Sequence, residues 1–183
     1  GSMPPDARCL AEEGIVIPPT LYSEISEGFF AESRMPSDNE ADLAAQVSAN
    51  QFGVKAMQKL ALLGDISGYM NALYERSAAI LRQSLAGLEK CSAEDQLDDG
   101  SAIKVVISNG ERLTFDFRGS ASTHPGNLNA TPAIVRSAVL YALRLWVNED
   151  LPLNEGFLES VDIIAEEGIL NPPLTGDPRS CPA

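Results

Sequence analysis

Hydrolytic attack on a carbonyl needs a nucleophile, a base and donors that hold the developing oxyanion. The chain has one histidine, His124, set between Thr123 and Pro125. No GxSxG elbow accompanies it, so a serine or cysteine triad is not indicated, and it reads as a polar loop histidine. The more suggestive spacing follows at once, in Gly126-Asn127-Leu128-Asn129-Ala130-Thr131-Pro132. Two carboxamides in a tight loop lead into a helix start, where unsatisfied backbone N–H groups converge. That arrangement suits a carbonyl, carboxylate or oxyanion, and capping with turn formation accounts for the same residues equally well. Asp98-Asp99-Gly100 reads as a turn whose carboxylates accept backbone N–H groups, with a metal or substrate contact as the alternative. Asn50 falls within an apolar helical stripe and reads as a buried amide bridging to a neighbouring loop.

Other chemistries lack their residues. Cys9, Cys91 and Cys181 are far apart and form no CxxC pair, and neither a zinc ligand set nor a GxxxxGK[ST] or GxGxxG phosphate loop occurs. An odd cysteine count leaves one thiol unpaired, which fits a reducing cytoplasmic setting. The charge of −13, from 13 basic and 26 acidic residues, opposes a role in gripping nucleic acid or an anionic membrane. No run approaches the roughly 20 apolar residues that cross a bilayer.

The elements that must position these residues follow from periodicity. Residues 1–38 are rich in Pro, Gly and Ser and predict an irregular arm with at most a short strand, and 39–183 predict an α+β core. From Asp38, capped by Ser37 or Asp38, Leu43, Val47, Asn50, Val54, Met57 and Ala61 share one helical face. A second helix from about Ile66 to Leu88 turns Tyr69, Leu73, Ile80, Leu81, Leu85 and Leu88 inward, and the short link at Gly64 predicts an antiparallel helical hairpin. Residues 102–118 read as a β-hairpin. Register by burial calls for an odd loop, Ser108–Gly110 with Gly110 in the left-handed region, setting Val105 opposite Leu113 and Ile103 opposite Phe115. Asp116 then points away from the apolar face. Thr131-Pro132 opens a third helix, running to about Val147, whose apolar residues fill more than one stripe and predict the most buried of the three. A further strand is expected at Ser160–Ala165, and the segment from Asn171 is proline-rich and irregular. Helices and strands come in blocks, so the class is α+β: a helical hairpin and a buried third helix packed with a hairpin-containing sheet.

The order of motifs resembles the hydantoinase B / 5-oxoprolinase family over nearly the whole chain. It is carried by Asn39 to Gln46, Ala49-Asn50-Gln51-Phe52-Gly53, Asp98-Asp99-Gly100, Phe115-Asp116-Phe117-Arg118-Gly119, Gly126 to Ala130, Arg136-Ser137-Ala138 and Asp150 to Gly156. Asp98-Asp99-Gly100-Ser101 and Gly126-Asn127-Leu128-Asn129-Ala130 resemble the 5-oxoprolinase branch in particular. Ala44 stands where the family usually has arginine, and Ile134-Val135 replaces the usual threonine before Arg136. The resemblance implies ATP-driven hydrolysis of a cyclic amide such as 5-oxoproline or a hydantoin. It implies ATP with Mg handled by a hydantoinase A-type subunit or domain in a hetero-oligomer, and a divalent metal held upstream of Gly1-Ser2-Met3-Pro4-Pro5, none of these cofactors being bound by this segment. The chain is then expected to be an internal piece of a larger subunit, inactive alone. The candidate substrate-binding set is Asp99, Asn127, Asn129, Thr131 and Arg136, with no metal ligand and no assigned catalytic residue. Two alternatives are a piece of a related acetone or acetophenone carboxylase subunit and a non-catalytic assembly domain.

Overall fold

A computed structural model describes residues 4, 7–15, 17–147 and 149–173; Gly1-Ser2-Met3 and Cys181 lie outside them. The elements are α1 (Leu10–Glu13), α2 (Pro36–Ala61), α3 (Ile66–Ser84), β1 (Cys91–Gln96), β2 (Ala102–Asn109), β3 (Leu113–Asp116), α4 (Pro132–Val147) and β4 (Val161–Ile164). Short 3₁₀ turns occupy Tyr22–Glu24 and Glu155–Leu158. The class is α+β. The arm contains no strand among its described residues, and its irregular path buries only Ala7 and Phe30.

The sheet has the order β1-β2-β3-β4, antiparallel for the first two pairs and parallel between β3 and β4. β1 is an element that the alternation pattern did not reveal. Its sequence, Cys-Ser-Ala-Glu-Asp-Gln, is largely polar and exposed at every position, on the edge of the sheet. The loop between β2 and β3 has three residues, as register by burial required, but it is Gly110–Arg112 and not Ser108–Gly110. Asn109 faces Leu113 and Ile107 faces Phe115, so Val105 and Ile103 pair with β1 instead. The shift of two residues keeps the apolar face intact. Its cause lies in contacts distant in sequence: Asn109 donates from Nδ2 to the Leu85 carbonyl (2.7 Å), ending the strand at the end of α3, while Arg112 binds Asp162 and the carbonyls of Glu159 and Val161. Gly110 is not in the left-handed region.

The core lies on the face carrying Leu113, Phe115 and Val161, against Leu81 of α3, Leu85 just past its end, and Val139, Leu143 and Val147 of α4. α4 holds more buried residues than the other helices, on the single stripe Val135, Val139, Leu143 and Val147. Its other side stays apolar and exposed, at Ile134, Tyr141, Leu145 and Trp146. The Trp146 indole N–H reaches the Ser84 carbonyl (3.2 Å), joining α4 to the end of α3. The expected antiparallel helical hairpin is not formed. α2 buries no residue, and only the second half of α3 turns inward, leaving Tyr69 and Leu73 exposed. α3 instead packs on the Glu155–Leu158 turn and α4, and among the described residues the apolar stripe of α2 is covered only in part, with Tyr22 of the arm beside Val47 and Val54. Asn50 is therefore exposed, not a buried amide. Pro36 at the first helical position starts α2 ahead of Ser37 and Asp38, and no side chain caps it.

Asp150 to Gly156 is a joint. Asn154 Oδ1 accepts from Gly156 N–H (2.8 Å), and its Nδ2 donates to the hydroxyl of the fully buried Ser77 on α3 (2.9 Å). A Cβ on Gly156 would collide with the Tyr74 carbonyl. That close approach seats Phe157, which is fully buried.

On the opposite, polar face, charges pair: Lys104 with its cross-strand neighbour Glu94, and Arg112 of the β2–β3 loop with Asp162 of β4. Asp116 points to this face, as its alternation with Phe115 and Phe117 required. Side-chain hydrogen bonds from Arg118, then that residue's backbone N–H, hold the Asp116 carboxyl at about 2 against an ordinary 3.8. A lowered carboxylate pKa stabilises the fold above 3.8 and loses that effect as pH falls toward 2. Asp116→Asn is accordingly expected to flatten the acid limb of unfolding between those values, with little change at pH 7 beyond the lost pair. Gly156→Ala is expected to destabilise the fold by about 2 kcal/mol or more in denaturant titration, because backbone on α3 cannot give way as a flexible side chain would.

Candidate functional site

The loop from Ser120 to Thr131 is led to one end of the sheet by backbone pairing. Ala121 N–H donates to the Ala102 carbonyl (2.8 Å), Ile169 N–H to that of Ala121 (3.0 Å), and Ala130 N–H to that of Ile169 (2.7 Å). A Cβ on Gly168 would stand 2.8 Å from the Ala121 carbonyl oxygen, so glycine permits this approach. Ser120 Oγ accepts from Lys104 N–H (3.0 Å) and fixes the departure from β3. The path brings the loop beside the β1–β2 turn, where Gly100 sits at φ +87°.

His124 links the two. Its Nδ1 accepts from Gly126 N–H (2.9 Å), so the ring proton resides on Nε2, which donates to Asp99 Oδ2 (3.0 Å). Asp99 also accepts from the Ser101 N–H and hydroxyl (2.9 and 3.0 Å). Those backbone and side-chain bonds from Ser101, followed by the nearness of His124, lower the Asp99 pKa. A Cβ on Gly126 would lie 3.1 Å from the ring, which explains glycine there.

Asn129 is buried and acts as the internal clamp of the loop. Its Oδ1 accepts from His124 N–H (2.8 Å), and its Nδ2 donates to the carbonyls of His124 (3.0 Å) and Gly126 (2.9 Å). Asn127 points the other way and donates to the Pro4 carbonyl (2.9 Å), tying the arm to the loop. Thr131 occupies the cap position, its carbonyl accepting from Ile134 and Val135. Between Ala7-Arg8 and His124–Leu128 the surface forms a cleft of about 500 Å³. The clefts along α2 are somewhat larger, about 540 and 640 Å³, yet no hydrogen-bonded acid–histidine pair borders them.

The structure thus gathers Asp99, Asn127, Asn129 and Thr131 at one end of the sheet. It does not bring in Arg136, which pairs with Glu155 at an exposed site. The two asparagine amides also do not converge on one cradle, since Asn129 is turned inward and its groups are satisfied within the loop. Nor do these residues suit a metal ion. Asp99 and His124 are a pair only, their contacting atoms are already engaged, and among the described residues no group of three or more metal-ligating side chains occurs. His124 is the residue whose part was missed, because 25 positions separate it from Asp99 and no local spacing couples them.

The sequence matches the hydantoinase B/oxoprolinase family over residues 1–181. The chain belongs to that family. It is 38% identical to a 5-oxoprolinase of Saccharomyces cerevisiae, in a match covering 96% of this chain and 16% of that protein. A 5-oxoprolinase of Dictyostelium discoideum is 33% identical over 94% of this chain and 15% of its own length. In fold it resembles the ATP-dependent caprolactamase of Pseudomonas jessenii, with a TM-score of 0.79, 20% identity, and cover of 96% of this chain and 34% of that one. The chain thus spans about a sixth of the length of these oxoprolinases.

Loss of a buried amide that satisfies three partners leaves donors and acceptors stranded. Asn129→Ala is expected to cost about 2 kcal/mol in chemical denaturation, and Asn127→Ala, at a half-buried single bond, less than about 1 kcal/mol. Equal losses would show that Asn129 is not the clamp.

Proposed function

We propose that this chain is a portion of an ATP-dependent hydrolase that opens a cyclic amide, 5-oxoproline or a hydantoin, and that it supplies one wall of the substrate region. The observation that carries this reading is the family match along the chain, with 5-oxoprolinases among the relatives. The cleft at Ala7-Arg8 and His124–Leu128 gives it a location. In the reaction, water adds to the ring carbonyl, the C–N bond breaks and the nitrogen takes up a proton. Asn127 and the start of α4 near Thr131 would face the ring, while Asn129, and Asp99 acting through His124, hold the loop in place. Arg136, paired with Glu155, would order the approach to α4 from outside the cleft.

Nucleotide chemistry falls to a hydantoinase A-type subunit or domain binding ATP with Mg, and the divalent metal to residues outside those described. Among the described residues no helix is long and apolar enough to cross a membrane. Cys9 and Cys91 carry free thiols, which accords with the reducing, cytoplasmic setting proposed for the complex.

Activity of the complete enzyme tests the reading. ATP-dependent ring opening, followed as product and ADP together, is expected from the full complex and absent from these 183 residues alone. Bicarbonate-dependent consumption of a ketone by the same complex would instead assign the chain to a ketone carboxylase. Asn127→Ala in the complete enzyme is expected to lower kcat/KM about tenfold, near 1.4 kcal/mol of transition-state stabilisation, with a fall in Tm smaller than that of Asn129→Ala. An unaltered kcat/KM would remove Asn127 from the substrate wall.

A further inference from the structure

The molecule leaves one long element unaccounted for. α2 runs for 26 residues without a buried side chain, while α3 and α4 each bury part of a face. Helices in water owe most of their stability to packing of an apolar face, so an unpacked helix of this length with Gly53 inside it lacks its usual support. Its apolar residues are large and lie bare: Phe52 is 75% exposed, Val54 57%, Met57 45% and Leu60 48%, and Leu62 and Leu63 in the following turn exceed 80%.

Their angular placement indicates what covers them. At about 100° per residue, Val54 and Met57 share the stripe of Leu43 and Val47, whereas Phe52 lies on nearly the opposite side. Each side has its own shallow cleft, one at Val47 and Val54, the other at Phe52, Ala56 and Leu60. A second copy docked across a two-fold axis covers one face of a helix and leaves the other wet. Apolar residues on opposed sides mark a helix enclosed by a larger body.

Relatives supply the length for such a body. The match fills about a sixth of the oxoprolinases and 34% of the caprolactamase chain. Whether long or short, these relatives carry polypeptide continuous with the matched region, and most of each chain lies beyond it. Charge narrows the chemistry of the cover. Within Ala49–Ala61 the only charged residues are Lys55 and Lys59, in a chain of net charge −13, and neither forms an ion pair among the described residues.

We infer that α2 is a buried helix of the larger subunit, enclosed on both sides by polypeptide of the same hydantoinase B-type chain beyond these 183 residues, with apolar side chains against Phe52 and Val54 and carboxylates against Lys55 and Lys59. The inference rests on the proposed parentage. It makes α2 the joint between this α+β unit and the rest of its subunit.

The test uses the full-length polypeptide that contains this chain, assembled with its partners. A photoreactive phenylalanine analogue is placed at position 52 in one sample and at position 57 in another, and cross-linked products are mapped by mass spectrometry. Intrachain cross-links from both positions to residues outside the 183 are expected. A cross-link to a second copy, a cross-link to a separate subunit, or no cross-link from either position overturns the enclosure. Lys55→Glu with Lys59→Glu, in the same protein, is expected to lower Tm by several degrees, and an unchanged Tm removes the carboxylate contact. Cyclic amide hydrolysis is assayed on the same samples. Retained hydrolysis without intrachain cross-links defeats the enclosure and leaves the function standing, while intrachain cross-links without hydrolysis do the reverse.

Discussion

β3 and β4 lie side by side and parallel, Phe115 against Ile163 and Leu113 against Val161. A parallel pair cannot be joined by a tight turn; the chain must leave one end of the sheet and return to the other. Here the return uses the Ser120–Thr131 loop, α4 and the 3₁₀ turn, and nearly every contact of the core follows from that obligation. α4 lays Val139 and Leu143 over Leu113 and Phe115, and the 3₁₀ turn inserts Phe157 beside α3. The candidate site is the outgoing half of the same crossover. Its loop lies where it does because it must climb from the end of β3 to the start of α4, and Gly168 lets the backbone pass close to Ala121.

Within this frame the polar residues divide by direction. Asn129 faces inward and closes the loop on itself, His124 carries the loop to Asp99 on a different connection, and Asn127 reaches out to the arm. Three short contacts thereby tie together residues near 4, 99 and 127, far apart in sequence. The loop is hydrogen-bonded to an arm, a turn and itself, the rigidity that the proposed substrate wall would need. Asp99 and Asn129 would act on a ligand only through the loop they hold.

Much of the fold was legible because local chemistry and global placement agreed. Thr131-Pro132 marked the start of α4, burial fixed the odd parity of the β2–β3 loop, and Ser160–Ala165 stood out as a strand, which the structure forms over Val161–Ile164. Misreadings arose where local pattern and long-range partners diverge. β1 is a strand by virtue of its neighbour alone, with a sequence of Ser, Glu, Asp and Gln that carries no alternation. The loop slipped by two residues because Asn109 and Arg112 make distant contacts that a hairpin considered alone cannot reveal. Opposite faults affected α2, whose periodicity announced an inward apolar face that the structure leaves without a buried residue. In the site, the loop announced itself through two asparagines and a helix start, yet the division between an inward and an outward asparagine depends on register.

The seam between α3 and α4 has an optical consequence. Trp146 is the only tryptophan in the chain, and its indole N–H bonds to the last residue of α3 while the ring stays more than half exposed. Indole emission depends on the polarity and hydrogen bonding around the ring, so the intrinsic fluorescence of this chain comes from the line where the two helices meet. Nature has placed a single-site probe at the contact by which the crossover helix is fastened to its neighbour, and any event that parts or tightens that seam can be followed by colour without adding a label.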